Sequence, residues 1–175
     1  MDNKNIYNNL FELLKSHKNE EFKDEINKLL SEHITFDINV TDENGKYLIT
    51  HAVITNNIEM VKFLIQKGAR IDIEDDDISI LIMTILYSLY DMLKLLLREN
   101  SKVIGIGLIN RRDKLNRTPL HYAIIKKNIK AIDLLLENGA NVDIFDKDKY
   151  NSLFFAVKSR SLEICQKIIK YISNI

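Results

Sequence analysis

Apolar residues fall in short runs at helical spacing along the whole chain, separated by polar breaks. Leu10, Phe11, Leu13 and Leu14 form one stripe, and Phe22, Ile26, Leu29 and Leu30 form a second after the polar break Lys18 to Glu20. Positions three and four apart share a helix face, so the pattern predicts amphipathic helices joined by short turns. The longest apolar stretch, Ile78 to Tyr90, is interrupted by Ser79, Thr84 and Ser88. It falls short of the roughly 18–20 residues that a membrane-spanning helix needs, and it reads as a core helix.

The stripes repeat. Asp113 to Phe145 reads DKLNRTPLHYAIIKKNIKAIDLLLENGANVDIF, and an offset of 71 brings Asp42, Gly45, Ala52, Asn57, Ile58, Val61, Leu64, Gly68, Ala69 and Asp72 onto matching chemistry. Two periods of 33 to 39 residues fit that offset. Between them lies a divergent copy, in which Leu93, Leu95, Leu96 and Leu97 stand for Ile132, Leu134, Leu135 and Leu136 before an insertion near 101–108. Asn110 restores the phase, and a forward offset of 33 places Asp146, Leu153, Ala156, Leu162, Cys165, Ile168 and Ile169 on the frame. The expected organisation is one domain over 1–175: an N-terminal capping helix pair (1–41), full repeats at 42–73, 74–112 and 113–145, and a C-terminal capping repeat (146–175). Phe36-Asp37-Ile38-Asn39 imitates the repeat tail Gly139 to Asp143.

Local chemistry supports the best copy. Thr118 is placed to cap a helix, Pro119 fits its first turn, where a missing N–H costs nothing, and Gly139 suits the left-handed end of the second helix. Other copies depart from it: Ser79 to Thr84 lacks the Pro and His, the second helix there ends in Glu99-Asn100 without a glycine, and Asn151-Ser152 replaces Thr-Pro. A looser C-terminal turn is expected in that divergent copy.

Thr118-Pro119-Leu120-His121-Tyr122-Ala123, Leu134-Leu135-Leu136 and Gly139-Ala140-Asn141-Val142-Asp143 together resemble the ankyrin repeat. The resemblance implies an all-α fold, an ankyrin-repeat α-solenoid of stacked antiparallel helix pairs with projecting hairpin loops. It also implies that His121 bonds within the adjoining turns, a structural role.

Hydrophobic residues make up 46% and charged residues 29%, a folded composition, and Lys plus Arg equals Asp plus Glu at 25 each. Zero net charge demotes nucleic acid as a partner. One cysteine, Cys165, excludes an internal disulfide and paired-thiolate zinc motifs, and its place on the repeat frame assigns it to the core. No secretory signal is visible at the polar N-terminus, so a cytoplasmic location, in the source cell or a host cell, is the expectation.

The search for chemistry returns no catalytic, cofactor or metal site. His17, His33, His51 and His121 sit in different units without ligand spacing. Gly105-Ile106-Gly107 lacks the third glycine and flanking elements of a phosphate loop, and Glu74 to Asp77 lacks the alternating oxygens of a cation loop, so it reads as a solvated hairpin tip. No enzyme is expected.

What remains is a surface. In arrays of the resembled kind, binding residues lie on the concave face and hairpin tips, at positions that differ between repeats. Carried onto this chain, these include Lys46, Ile54, Asp75, Asp76, Ile78, Leu86, Tyr87, Arg112, Lys114, Leu115, Arg117, Ile125, Lys126 and Tyr150. Ile54, Leu86, Tyr87 and Ile125 are expected side by side as an apolar centre, with tips changing from acidic to basic around it. The expected function is a monomeric, non-catalytic module that binds another protein, with a viral or bacterial host-interaction factor as one form. The alternatives are an inhibitor or immunity protein blocking an enzyme or toxin, and a weak nucleic-acid or small-molecule binder using the Arg111 to Arg117 cluster, whose phosphate footprint is modest.

Overall fold

The computed structural model describes residues 3–32, 36–75, 78–100 and 107–173, which fall into two compact units, Met1–Ile71 and Asp72–Ile175. In the first unit, α1 (Asn3–Lys15) pairs with α2 (Asn19–Ser31), α3 (Leu48–Ile54) pairs with α4 (Ile58–Gln66), and α1 packs on α3. Its core is Leu10, Phe22, Ile26, Leu48 and Leu64, all fully buried, with the Phe22 ring edge-on to Phe63 at 6.4 Å. Ile6 joins the first stripe. Leu13 is half-buried and Leu30 is exposed, since each follows or precedes a buried neighbour by about 100° around its helix.

The second unit opens with a short antiparallel hairpin, β1 (Glu74–Asp75) and β2 (Ile78–Ser79). Three helix pairs follow: α5 (Ile80–Leu86) with α6 (Tyr90–Asn100), α7 (Pro119–Ile125) with α8 (Ile129–Glu137), and α9 (Ser152–Lys158) with α10 (Leu162–Ser173). First helices pack on first helices, α5 on α7 and α7 on α9, and α6 packs on α8. The expected insertion falls largely on 101–106, outside the described residues. The described residues next take up a 3-10 turn at Leu108–Asn110, with Leu108 fully buried.

Each first helix of the second unit starts on a side-chain cap. Ser79 accepts from the Ile82 N–H, Thr118 from the His121 N–H and Asn151 from the Phe154 N–H. Tyr47, at the same point in the first unit, makes no such bond. Second helices start likewise on Asn57, Asn128 and Ser161. Between the two helices of a pair the chain turns through one left-handed residue, His17, Asn56, Ser88, Lys127 or Arg160, at φ 53–57°. A second left-handed residue ends α4 and α8, and there it is Gly68 and Gly139, which pay no Cβ penalty.

Side chains between the pairs carry the register. The Asn39 carboxamide oxygen accepts the Arg70 N–H at 2.8 Å, and in the second unit that of Asn110 accepts the Asn141 N–H at 2.8 Å. Asp37 accepts the Asn39 N–H as Asn141 accepts that of Asp143, so the resemblance of Phe36 to Asn39 to a repeat tail extends to its hydrogen bonds.

Stacking decides what is buried. Ile124 of α7, the helix that packs on α9, and Ile132 and Leu136 of α8, the helix tied to α10 by Asp133 and Lys167, are buried. One period on, Val157 is 62% exposed, Ile169 is exposed and Cys165 is half-buried. Cys165 is therefore not a core residue as its place on the frame suggested, because no described helix pair covers that side of α10. The outward face of α9 and α10 keeps the apolar stacking pattern.

His121 is fully buried against Phe155, with ring centroids 5.0 Å apart. Its Nδ1 accepts the Thr118 N–H, closing a capping box with the Thr118 hydroxyl, so the proton of the neutral ring sits on Nε2. Nε2 faces the Ile144 backbone without a well-formed hydrogen bond. Burial disfavours the charged ring and drops its pKa to about 4, against the pull of the Asp146 carboxylate.

Leu135→Ala should cost about 2–5 kcal/mol in chemical denaturation, whereas Val157→Ala should cost under about 1 kcal/mol; equal losses would contradict the burial pattern. The unfolded chain protonates His121 before the folded chain does, so its contribution is complete above pH 6.5 and declines as pH falls toward 4. His121→Gln keeps a side chain able to close the capping box and should lose about 3 kcal/mol less than the wild type across that window. An equal loss in both proteins would show that His121 does not titrate as described.

Candidate functional site

Three projecting tips are each built on one aspartate, while the fourth is the β1–β2 hairpin. Asp42 Oδ1 accepts the N–H groups of Asn44 and Lys46 at 2.9 and 3.0 Å, Asp113 Oδ1 those of Leu115 and Arg117 at 2.9 and 2.7 Å, and Asp146 Oδ1 those of Asp148 and Tyr150 at 2.9 and 3.0 Å. Three residues after each aspartate, Gly45, Asn116 and Lys149 take positive φ and reverse the chain. The second carboxylate oxygen reaches into the fold: Asp42 Oδ2 to His51 at 2.9 Å, Asp113 Oδ2 to the Tyr122 hydroxyl at 2.6 Å, and Asp146 Oδ2 to Arg117 Nε at 3.2 Å. Burial alone would raise the carboxyl pKa of Asp42 and Asp146, but in both the N–H bonds and the cationic or imidazole partner outweigh it and hold the pKa below the ordinary value. For Tyr122, burial and the bond to Asp113 push the hydroxyl up to about 12, so it stays a donor. Successive tips also join directly, the Lys147 N–H donating to the Leu115 carbonyl at 2.9 Å.

These bonds divide the expected binding residues. In the first unit Lys46 and Ile54 are half-buried, Lys46 being the backbone donor to Asp42. In the second unit Tyr87 is 55% exposed at the end of α5, Ile125 is 43% exposed and Lys126 is exposed at the end of α7, and Leu86 is half-buried. Leu115, 40% exposed, joins Arg112 and Lys114 on the tip that precedes α7. Ile78 is half-buried in β2, while Asp76 and the Asp75 side chain lie outside the described residues. Arg117 and Tyr150 are engaged internally: Arg117 pairs with Asp146 and lies over the Phe155 ring at 5.5 Å, and Tyr150 stacks on Phe154 at 3.7 Å.

Between the turns of α7–α8 and α9–α10 lies a cleft of about 450 Å³ lined by Arg117, Ile125, Lys127, Phe155, Lys158, Ser159 and Arg160. Lys127 and Arg160 lie outside the tip and first-helix positions where binding residues are expected. Their signal in the sequence is a basic residue at the left-handed turn in two consecutive repeats, where the first unit has Asn56. Among the described residues no group of three or more His, Cys, Asp or Glu is placed to hold a metal ion, and no helix is long and apolar enough to cross a membrane.

A family model for ankyrin repeats matches residues 8–106 and 104–175. An ankyrin repeat protein of Acanthamoeba polyphaga mimivirus is 40% identical over 96% of this chain and 22% of its own length. One from fowlpox virus is 31% identical over 76% of this chain and 90% of its own length. The phosphocholine transferase AnkX of Legionella pneumophila is 27% identical over 83% of this chain and 15% of its own length. The chain thus spans well under half the length of the mimivirus relative and of another fowlpox relative, where it matches 38%. Ankyrin repeats are generally non-catalytic modules for protein–protein interaction. Helix pairs, Asp-closed tips, the capping box at Thr118 and these matches together make this chain a member of the ankyrin repeat family.

Proposed function

We propose that the chain is a non-catalytic module that binds another protein through the exposed ends of its first helices and its hairpin tips. The observation that supports this most is the set of large apolar side chains left outside the stacking frame in the second unit: Tyr87 and Ile125 at the ends of packed first helices, and Leu115 on a tip. Apolar groups flanked by charged ones, here Arg112, Lys114 and Lys126, suit an interface whose centre supplies affinity and whose rim steers the encounter. Within the second unit Ile78 and Leu86, half-buried, contribute edges and Arg117 and Tyr150 support the surface from beneath, while Lys46 and Ile54, also half-buried, belong to the first unit's own surface. Relatives in a virus of amoebae, in fowlpox virus and in Legionella favour a host-cell protein as the partner and the host cytoplasm as the place of action. The module works as one repeat domain and as a monomer.

Tyr87→Ala should change the melting free energy by no more than about 0.5 kcal/mol, as for an exposed side chain; a loss of several kcal/mol would place Tyr87 in the core. A Tyr87→Lys, Leu115→Glu double variant should stay folded and lose a protein that the wild type retains from eukaryotic cell lysate, read by mass spectrometry and then by titration with that purified protein. Equal retention by both proteins, or release of product from any co-captured substrate by the wild type alone, would overturn the reading.

A further inference from the structure

We propose that the basic cleft between the turns of α7–α8 and α9–α10 is a subsite for an acidic, extended peptide segment that also carries an aliphatic or aromatic side chain. The inference rests on the protein-binding reading above and names the chemistry of one part of the partner. Four cationic side chains line the cleft and no carboxylate does. Arg117 is already balanced by Asp146, whereas Lys127, Lys158 and Arg160 form no ion pair among the described residues, Lys158 lying 6.0 Å from the centroid of the exposed Phe154 ring. Like charges gathered in one cleft repel one another, and that repulsion is relieved when an anionic group enters. The Ser159 hydroxyl is satisfied by its own turn, donating to the Ala156 carbonyl and accepting from the Ser161 N–H, so the cations are the groups left to hold a ligand.

Two of those cations occupy unusual places. Lys127 and Arg160 sit at φ 53° and 57°, where asparagine or glycine costs least, and each projects its charge from the tightest point of a helix pair. Ile125, 43% exposed, supplies an apolar wall, and the cleft's volume of about 450 Å³ suits one or two side chains of a peptide.

The aromatic in the cleft argues against a nucleic acid. Phe155 is buried, with the Arg117 guanidinium 5.5 Å from its centroid and His121 5.0 Å away, so it offers no free face for a base to stack on. Binding of single strands relies on such stacking platforms along a run of phosphate contacts.

The test is selection of random dodecapeptides by phage display on the wild type, on a Lys127→Asn, Arg160→Asn variant and on the Tyr87→Lys, Leu115→Glu variant, with oligothymidine as a competing probe. Asparagine suits the left-handed backbone, so the first variant removes charge without threatening the fold, which its melting curve checks. The wild type should enrich peptides combining Asp or Glu with an apolar residue, and the Asn variant should bind those peptides at least about tenfold more weakly, with the difference shrinking at high salt. Peptides without acidic bias, equal binding by the Asn variant, or no enrichment at all would overturn the subsite. Peptides lost only by the Tyr87→Lys, Leu115→Glu variant would also overturn it while leaving the protein-binding reading intact. Oligothymidine binding that displaces the peptides and is lost in the Asn variant would assign the cleft to nucleic acid instead.

Discussion

A single buried carboxylate holds three of the projecting tips in shape, and the surface those tips present depends on it. A tight turn exposes backbone N–H groups that water would otherwise solvate, leaving the loop free to sample many conformations. Asp42, Asp113 and Asp146 each take two of those N–H groups on one oxygen and tie the other oxygen to a side chain of the fold. The charge is tolerated out of water because two turn N–H groups donate to one oxygen and a side chain of the fold meets the other, and for Asp42 and Asp146 these bonds outweigh what burial takes away. These loops are therefore braced by the chain itself, with little ordering entropy left to lose.

The frame beneath the tips answers a different constraint. A helix pair of this size cannot bury its own apolar stripe, so each pair is stable by lying against the next. The contrast between buried Ile132 in α8 and half-buried Cys165 in α10 shows the rule at work, because the two occupy one register and differ in what covers them. Side chains that stack are fixed by this demand. Those that point away from it, such as Tyr87, Leu115 and Ile125, are not fixed by it.

Much of the fold was legible because its signals are local. Thr118 and Pro119 announce a helix start through cap geometry, and the structure closes a full capping box there. Gly139 announces a helix end, and Phe36 to Asn39 a repeat tail, by backbone requirements that do not depend on distant residues. The surface was legible only as a set of positions. Tyr87 and Ile125 are exposed where the frame placed them, but Arg117 pairs with an aspartate 29 residues away and Tyr150 stacks on Phe154, engagements that spacing alone does not reveal. Lys127 and Arg160 are not legible in the sequence because lysine and arginine carry no turn signal; only their left-handed backbone sets them apart.

The aspartate-closed tips form a preformed surface, and amide hydrogen exchange by NMR tests this most directly. The N–H groups of Leu115, Arg117, Asp148 and Tyr150 lie on tips yet donate to Asp113 or Asp146, so at neutral pH they should exchange at least about tenfold more slowly than unstructured amides. Exchange of these four amides at the rate of an unstructured chain, while the helices remain protected, would contradict the account.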